Sequence, residues 1–326
     1  MGKERDLPSP VWNTALGKCR SLLHPSPYAL RPSLRMKQLL EIIQSGTAYL
    51  EKRQIEEARL NMEHLLAHVL RCRRLDLYLR FNETVPEAQL TTLRDLLRRR
   101  GEGEPLQHLL GTVEFCGHEF VSDHRALIPR PETETLVELI LKKFATPPAR
   151  VLDMATGSGC IGLSLAKAWP LSEIILADIS EDALDLARLN ASRLSANIKL
   201  LRSDLYEKIT GTFDLIVANL PYIPSAEIQS LSPEVKRDPI LALDGGPDGL
   251  RIVERFLTDA LPHLNSNAII ALEVGHDQGT PVATRCTELG YLNATTAPDL
   301  PGIHRFVFAT TPAHATDGQT DPAEIL

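Results

Sequence analysis

No apolar run in this chain is long enough to cross a bilayer. The longest, such as Ala268 to Val274, fall far short of the ~20 residues a spanning helix needs, which excludes a helical membrane protein. Cysteine is scarce: Cys19, Cys72, Cys116, Cys160 and Cys286 are odd in number and far apart, so neither a disulfide framework nor a CxxC metal site is expected. The region around Lys3, Arg5, Lys18 and Arg20 lacks the continuous apolar core of a secretory signal, so a cytoplasmic location is the expectation. Glycine and proline, 19 and 23 of 326 residues, are too few and too scattered for a fibrous repeat. Positive charge is also in deficit. A formal net charge of -7 argues against nonspecific binding to nucleic acid, and no stable nucleic-acid complex is expected. The local exception runs from Arg71 to Arg100, where eight arginines face four acids; a solvated helix face and a docking surface both fit it.

What is present is an ordinary globular composition, 43% hydrophobic and 24% charged, with length for about two domains at ~150 residues each. Residues 1–35 are rich in proline and serine without period and are read as a disordered extension, with Met36 as the expected translation start. From 36 to 105 apolar residues recur at helical spacing (Leu39, Leu40, Ile43; Leu60, Leu65, Val69; Leu90, Leu93, Leu97), predicting a small all-helical domain. Residues 106–135 read as a hairpin linker pairing Val113–Phe115 with Glu119–Val121, followed by a helix with Thr133 or Glu134 near its N-cap. From 136 to 310, short apolar strands alternate with helices. Strands are expected at 150–153, 173–178, 198–203, 213–219, 268–274 and 305–310, and helices at 161–168, 181–194, 250–261 and 278–289. This order predicts a doubly wound α/β domain around a mainly parallel sheet. Residues 311–326 are read as a fraying tail.

The first strand of that domain runs into Asp153-Met154-Ala155-Thr156-Gly157-Ser158-Gly159-Cys160-Ile161-Gly162, whose glycines satisfy G-x-G-x-x-G between a strand and a helix. Asp178 ends the next strand, 21 residues after Gly157, where a carboxylate can bind ribose hydroxyls. Together they point to a nucleoside cofactor. The fingerprint also suits NAD; Asp153, expected beside the ligand, would repel a pyrophosphate and suit a cation, which favours a sulfonium cofactor over an oxidoreductase. The fourth strand ends in Asn219-Leu220-Pro221-Tyr222, at the edge where open α/β sheets bind ligands. Asn219 offers a side-chain carbonyl and Leu220 a backbone carbonyl held by the Pro221 turn, two acceptors able to converge on one planar NH2 group beside the ring of Tyr222. His64 and His68 stand four apart on a helix, but with no third ligand at matching spacing no metal site is expected. His276 is read as a loop histidine.

The glycine loop resembles the first motif of S-adenosylmethionine-dependent methyltransferases, and the tetrapeptide resembles the (Asp/Asn/Ser)-Pro-Pro-(Tyr/Phe) motif of enzymes that methylate amino or amide nitrogens. With LIPRPETE (127–134), GEPLQHLLG (103–111), LDGGPDGL (243–250) and LEVGHDQG (272–279), the chain from Met36 to Thr310 resembles the HemK/PrmC family of protein-(glutamine-N5) methyltransferases. That resemblance implies a class I methyltransferase fold, S-adenosylmethionine as cofactor, and the Gly-Gly-Gln-loop glutamine of peptide chain release factors as substrate, with transient proximity to the ribosome. It implies Asn219, Leu220, Pro221 and Tyr222 as the catalytic tetrapeptide. Asp153, Ala155, Thr156, Gly157, Ser158, Gly159, Asp178, Asp204, Leu205 and Asn219 are implied at the cofactor, with Ser203 flanking the adenine. Arg130 is expected at the entrance of the site or in an ordinary ion pair, and the helical domain as the part that recognises substrate. Two positions depart from the pattern: Leu220 replaces a usual proline, and Ala155 a common glycine. The tetrapeptide also occurs in ribosomal RNA adenine dimethyltransferases, so adenine-N6 of RNA or DNA is an alternative substrate; within the resembled family, glutamine of a large-subunit ribosomal protein is the other.

Overall fold

The computed structural model describes residues 38–313, so the expected N-terminal extension and start at Met36 lie outside the described residues. Three helices open the fold: α1 (Leu39–Glu51), α2 (Ala58–Leu70) and α3 (Glu87–Gly101). Each turns an apolar stripe inward, with Leu39, Ile42, Ile43, Met62, Leu65, Leu66, Leu90 and Leu93 forming a separate core. Gly46 lets α1 and α2 approach, because a Cβ there would stand 2.1 Å from the Met62 sulfur. Seven of the eight arginines between 71 and 100 form ion pairs with acids of this chain, Arg71 being outside that set. The local positive charge is thus largely balanced within the fold.

A short helix α4 (Leu106–Leu110) leads into β1 (Thr112–Phe115) and β2 (His118–Val121), which pair antiparallel. The hairpin is more than a linker: Phe115 and Phe120 meet edge to face at 5.9 Å and are buried in the core of the following domain. Helix α5 spans Pro131–Lys143. Its N-cap is Arg130, with Pro131 in the first turn, so the helix begins earlier than the expected Thr133 or Glu134; proline's fixed φ and missing N–H suit that position.

The rest is β3 (Arg150–Met154), α6 (Cys160–Ala168), β4 (Glu173–Asp178), α7 (Glu181–Leu194), β5 (Lys199–Arg202), β6 (Phe213–Asn219), β7 (Ile223–Pro224), β8 (Asp244–Gly246), α8 (Arg251–Ala260), β9 (Leu264–Glu273), α9 (Gly279–Glu288), β10 (Leu292–Pro298) and β11 (His304–Thr310). Seven strands make one sheet in the order β10-β11-β9-β6-β3-β4-β5, with β3, β4, β5, β6 and β9 parallel. Alternate residues of β6 face opposite cores: Leu215 and Val217 pack towards α5 and α6, Ile216 and Ala218 towards α8 and α9. Burial on both faces explains the uninterrupted apolar reading of these strands. The edge strand β10 escaped sequence reading because its residues, all exposed or half-buried and including Asn293, Thr295 and Thr296, show no apolar alternation.

Of the expected fraying tail, residues 314–326 lie outside the described residues, while its first residue is anchored. Thr311 is buried, its backbone N–H donates to the Ala268 carbonyl, and its hydroxyl donates to the Asn265 carbonyl at 2.6 Å. From β3 the chain first builds outward to β5 and then returns to β6 on the other side, so the crevice at the carboxyl ends of β3 and β6 is the topological switch point of the sheet.

Candidate active site

At the end of β3 the chain turns through Ala155, Gly157 and Gly159, with φ of +55°, +56° and +84°. These left-handed angles are open to glycine and cost other residues about 1–2 kcal/mol, so Ala155 carries strain where glycine would not. Gly162 has a different reason: a Cβ there would lie 2.0 Å from Leu176 on β4, so α6 can sit this close to the sheet only without a side chain.

Two carboxylates tie the loop down. Asp153 is fully buried; its Oδ2 accepts from the Thr156 hydroxyl at 2.5 Å and the Gly162 N–H at 2.9 Å, and burial pushes its carboxyl up to about 7. It does not line the cavity described below, which corrects the expectation that it meets the ligand. Its carboxylate is engaged within the loop by these two bonds. Asp178 does line the cavity. It accepts from the Gly157 and Ser180 N–H groups, both at 2.9 Å, and burial raises its carboxyl above the ordinary range. A carboxylate has about four lone-pair sites, so capacity for a further donor remains.

Across the crevice, β6 ends at Asn219, opposite Glu273 of β9 in parallel register. The Asn219 side-chain NH2 donates to the Thr133 hydroxyl at 3.2 Å, which donates to Glu273 Oε2 at 2.7 Å. Thr133 and Glu273 are both 2% exposed, and burial pushes Glu273 up to about 7. Leu220 packs into the core, and both it and Pro221 border the cavity. Tyr222, expected beside the substrate, is not a lining residue; burial raises its phenol, as does the nearby carboxylate of Glu273. Its backbone is clamped from behind: the Gln278 side chain donates to the Tyr222 carbonyl at 3.0 Å, and a Cβ on Gly249 would lie 2.2 Å from that oxygen. The motifs around 243–250 and 272–279 therefore shape the turn after β6.

A cavity of about 420 Å³ joins these parts, within the ~300–1,000 Å³ of small-molecule sites. Ala155, Thr156, Gly157, Ser158 and Asp178 line one end, Asp204 and Leu205 border it, and Asn219 and Thr133 close the other. Arg130 also lines it and pairs with Asp238 at 2.5 Å, whose buried carboxylate accepts from the Ile128 N–H as well. Arg130 thus stands at the cavity, and its ion pair is with a buried carboxylate rather than on the open surface. His276 is exposed on its loop.

A family model described as the PrmC N-terminal domain matches residues 41–111, and one described as the methyltransferase small domain matches 131–232. A release factor glutamine methyltransferase of Geobacter sulfurreducens is 40% identical over 79% of this chain and 92% of its own length. The chain belongs to the release factor glutamine methyltransferase family. The namesake of Deinococcus radiodurans is 37% identical over 83% of this chain and 98% of its own. A solved methyltransferase from Pyrococcus furiosus aligns at 20% identity and TM-score 0.46, over 59% of this chain and 88% of that one.

As a member of this family, the protein uses S-adenosylmethionine as methyl donor, and the cavity fits that group. Asp178 can accept from ribose hydroxyls, Leu205 and Ile252 offer apolar walls, and the turn through Gly157 brings backbone rather than a side chain to the ligand. Thr133, Asp238, Glu273 and Gln278 are the site residues that sequence reasoning missed. Thr133, Glu273 and Gln278 sat inside motifs already singled out, but only the packing of α5 and α9 against the sheet gives them partners.

Proposed function

We propose that this enzyme methylates the side-chain amide nitrogen of glutamine in peptide chain release factors, at the Gly-Gly-Gln loop, in the cytoplasm, with the helical region recognising substrate. The observation that carries this reading is Asn219: a carboxamide at the wall of the cofactor cavity, its amino group already engaged by Thr133. Bound there, S-adenosylmethionine supplies an electrophilic methyl on a sulfonium. A carboxamide nitrogen is a poor nucleophile because its lone pair is delocalised into the carbonyl, so orientation must lower the barrier. Asn219 Oδ1 and the Leu220 backbone carbonyl accept the two amide N–H bonds, aim the nitrogen and stabilise the positive charge that develops on it. The nitrogen becomes acidic as it alkylates, so its proton leaves late, to water, without a strong general base. Leu220 preserves this acceptor because its backbone serves while its side chain packs in the core.

The test is mass spectrometry of a release factor incubated with the enzyme and S-adenosylmethionine. One added methyl on the Gly-Gly-Gln glutamine is expected, and its absence overturns the substrate. Asn219→Ala should cut the rate more than tenfold while cofactor affinity, read by calorimetry, stays within about twofold. A variant keeping more than a tenth of the rate would limit the role to less than ~1.4 kcal/mol of barrier and refute it.

A further inference from the structure

We propose that Thr133 and Glu273 are positioning residues that set the polarity of Asn219, so that its carbonyl oxygen, and never its amino group, faces the substrate amide. This rests on the proposed function. A carboxamide can bind in two orientations that differ by exchange of oxygen and nitrogen, and only one presents an acceptor to the glutamine NH2. The choice is made by Thr133 together with Glu273, which also meets the Asn219 side chain directly. Thr133 has a single hydroxyl proton, given to Glu273 Oε2 at 2.7 Å, and an ionised carboxylate can only accept. The hydroxyl therefore has only lone pairs left for Asn219, and only the NH2 side can meet them, as it does at 3.2 Å. With both residues 2% exposed, bulk water has little access to substitute for either partner. The reverse orientation would set oxygen against oxygen at Thr133 and NH2 against NH2 at the substrate.

The three residues come from three elements: the first turn of α5, the end of β6 and the end of β9. The device has a natural weak point. Burial pushes Glu273 up to about 7, opposed by the Thr133 hydroxyl, Arg305 on β11 and the Asn219 side chain and reinforced by Glu132 on α5, with Tyr222 and Cys160 also facing it. Once protonated, Glu273 can donate to Thr133, whose own proton is then free to meet Asn219 Oδ1 and turn the carboxamide. Turnover should rise as pH increases through about 7.

Two measurements test this. With a release factor as substrate, Thr133→Val should lose more than tenfold in kcat, with KM and cofactor affinity within about twofold, and Thr133→Ser should recover most of the loss. Equal rates in these two variants would overturn the relay. Independently of any substrate, the side-chain 15N signal of Asn219, assigned by its loss in Asn219→Ala, should inflect near pH 7 in the wild type and not in Glu273→Gln, a variant that also covers failure of Thr133→Val to fold. A wild-type signal without inflection overturns the relay. Lack of methylation by the wild type overturns the proposed substrate instead, and the Asn219 titration then decides the relay alone.

Discussion

Replacing Asp153 by asparagine should make the protein more stable at neutral and alkaline pH, although Asp153 holds the cofactor loop in place. The carboxylate is fully buried, and its two recorded partners, the Thr156 hydroxyl and the Gly162 N–H, do not offset the loss of water, so the proton is held up to about 7 rather than the ordinary 3.8. Between those values the folded protein binds more protons than the unfolded chain, so stability falls as pH rises. The stabilisation is present in full below about 3.8 and is lost as pH rises through about 7. About two pH units of that window lie between pH 5 and pH 7, at ~1.4 kcal/mol each, which makes roughly 3 kcal/mol. That is a large part of the ~5–15 kcal/mol that holds a typical protein folded. Asparagine keeps the shape, and its single side-chain oxygen can accept from both Gly162 and Thr156 as the one carboxylate oxygen does, yet it carries no charge to bury. Urea denaturation of wild type and Asp153→Asn, followed by the fluorescence of the buried Trp169, should show the variant gaining about 3 kcal/mol on the wild type between pH 5 and pH 8. A difference that stays constant over this range would show that Asp153 does not titrate there and would refute the reasoning.

The loop makes two further predictions, both readable by calorimetry. Ala155→Gly should stabilise the protein by about 0.5–1 kcal/mol, because relief of the left-handed φ of +55° outweighs the added freedom of the unfolded chain; a loss of stability would contradict this. Gly162→Ala should destabilise by about 1–3 kcal/mol, since its Cβ would meet Leu176 at 2.0 Å and α6 must move off the sheet; an unchanged melting temperature would show that this contact is not tight.

Much of this protein is determined by local sequence. Short uninterrupted apolar runs set the strands of the parallel sheet and period-3.6 patterns the helices over them, because burial on both faces leaves few polar positions to blur the strand signal. The glycine turn and the turn after Asn219 are likewise local, since backbone angles near +55° or a proline ring constrain only neighbouring residues. The edge strand β10, the anchoring of Thr311 and the integration of the hairpin were not legible, because each depends on a distant partner rather than on its own composition. The same division runs through the site. Asn219 and Asp178 could be singled out from strand ends, but Asp153, expected at the ligand, is turned to the loop by its bonds to Thr156 and Gly162. Thr133 and Glu273 lie 140 positions apart in the chain. Whether a carboxylate faces a ligand, a loop or a hydroxyl depends on burial and on which groups stand within 3 Å of it, and those are settled only when α5, β6 and β9 pack together.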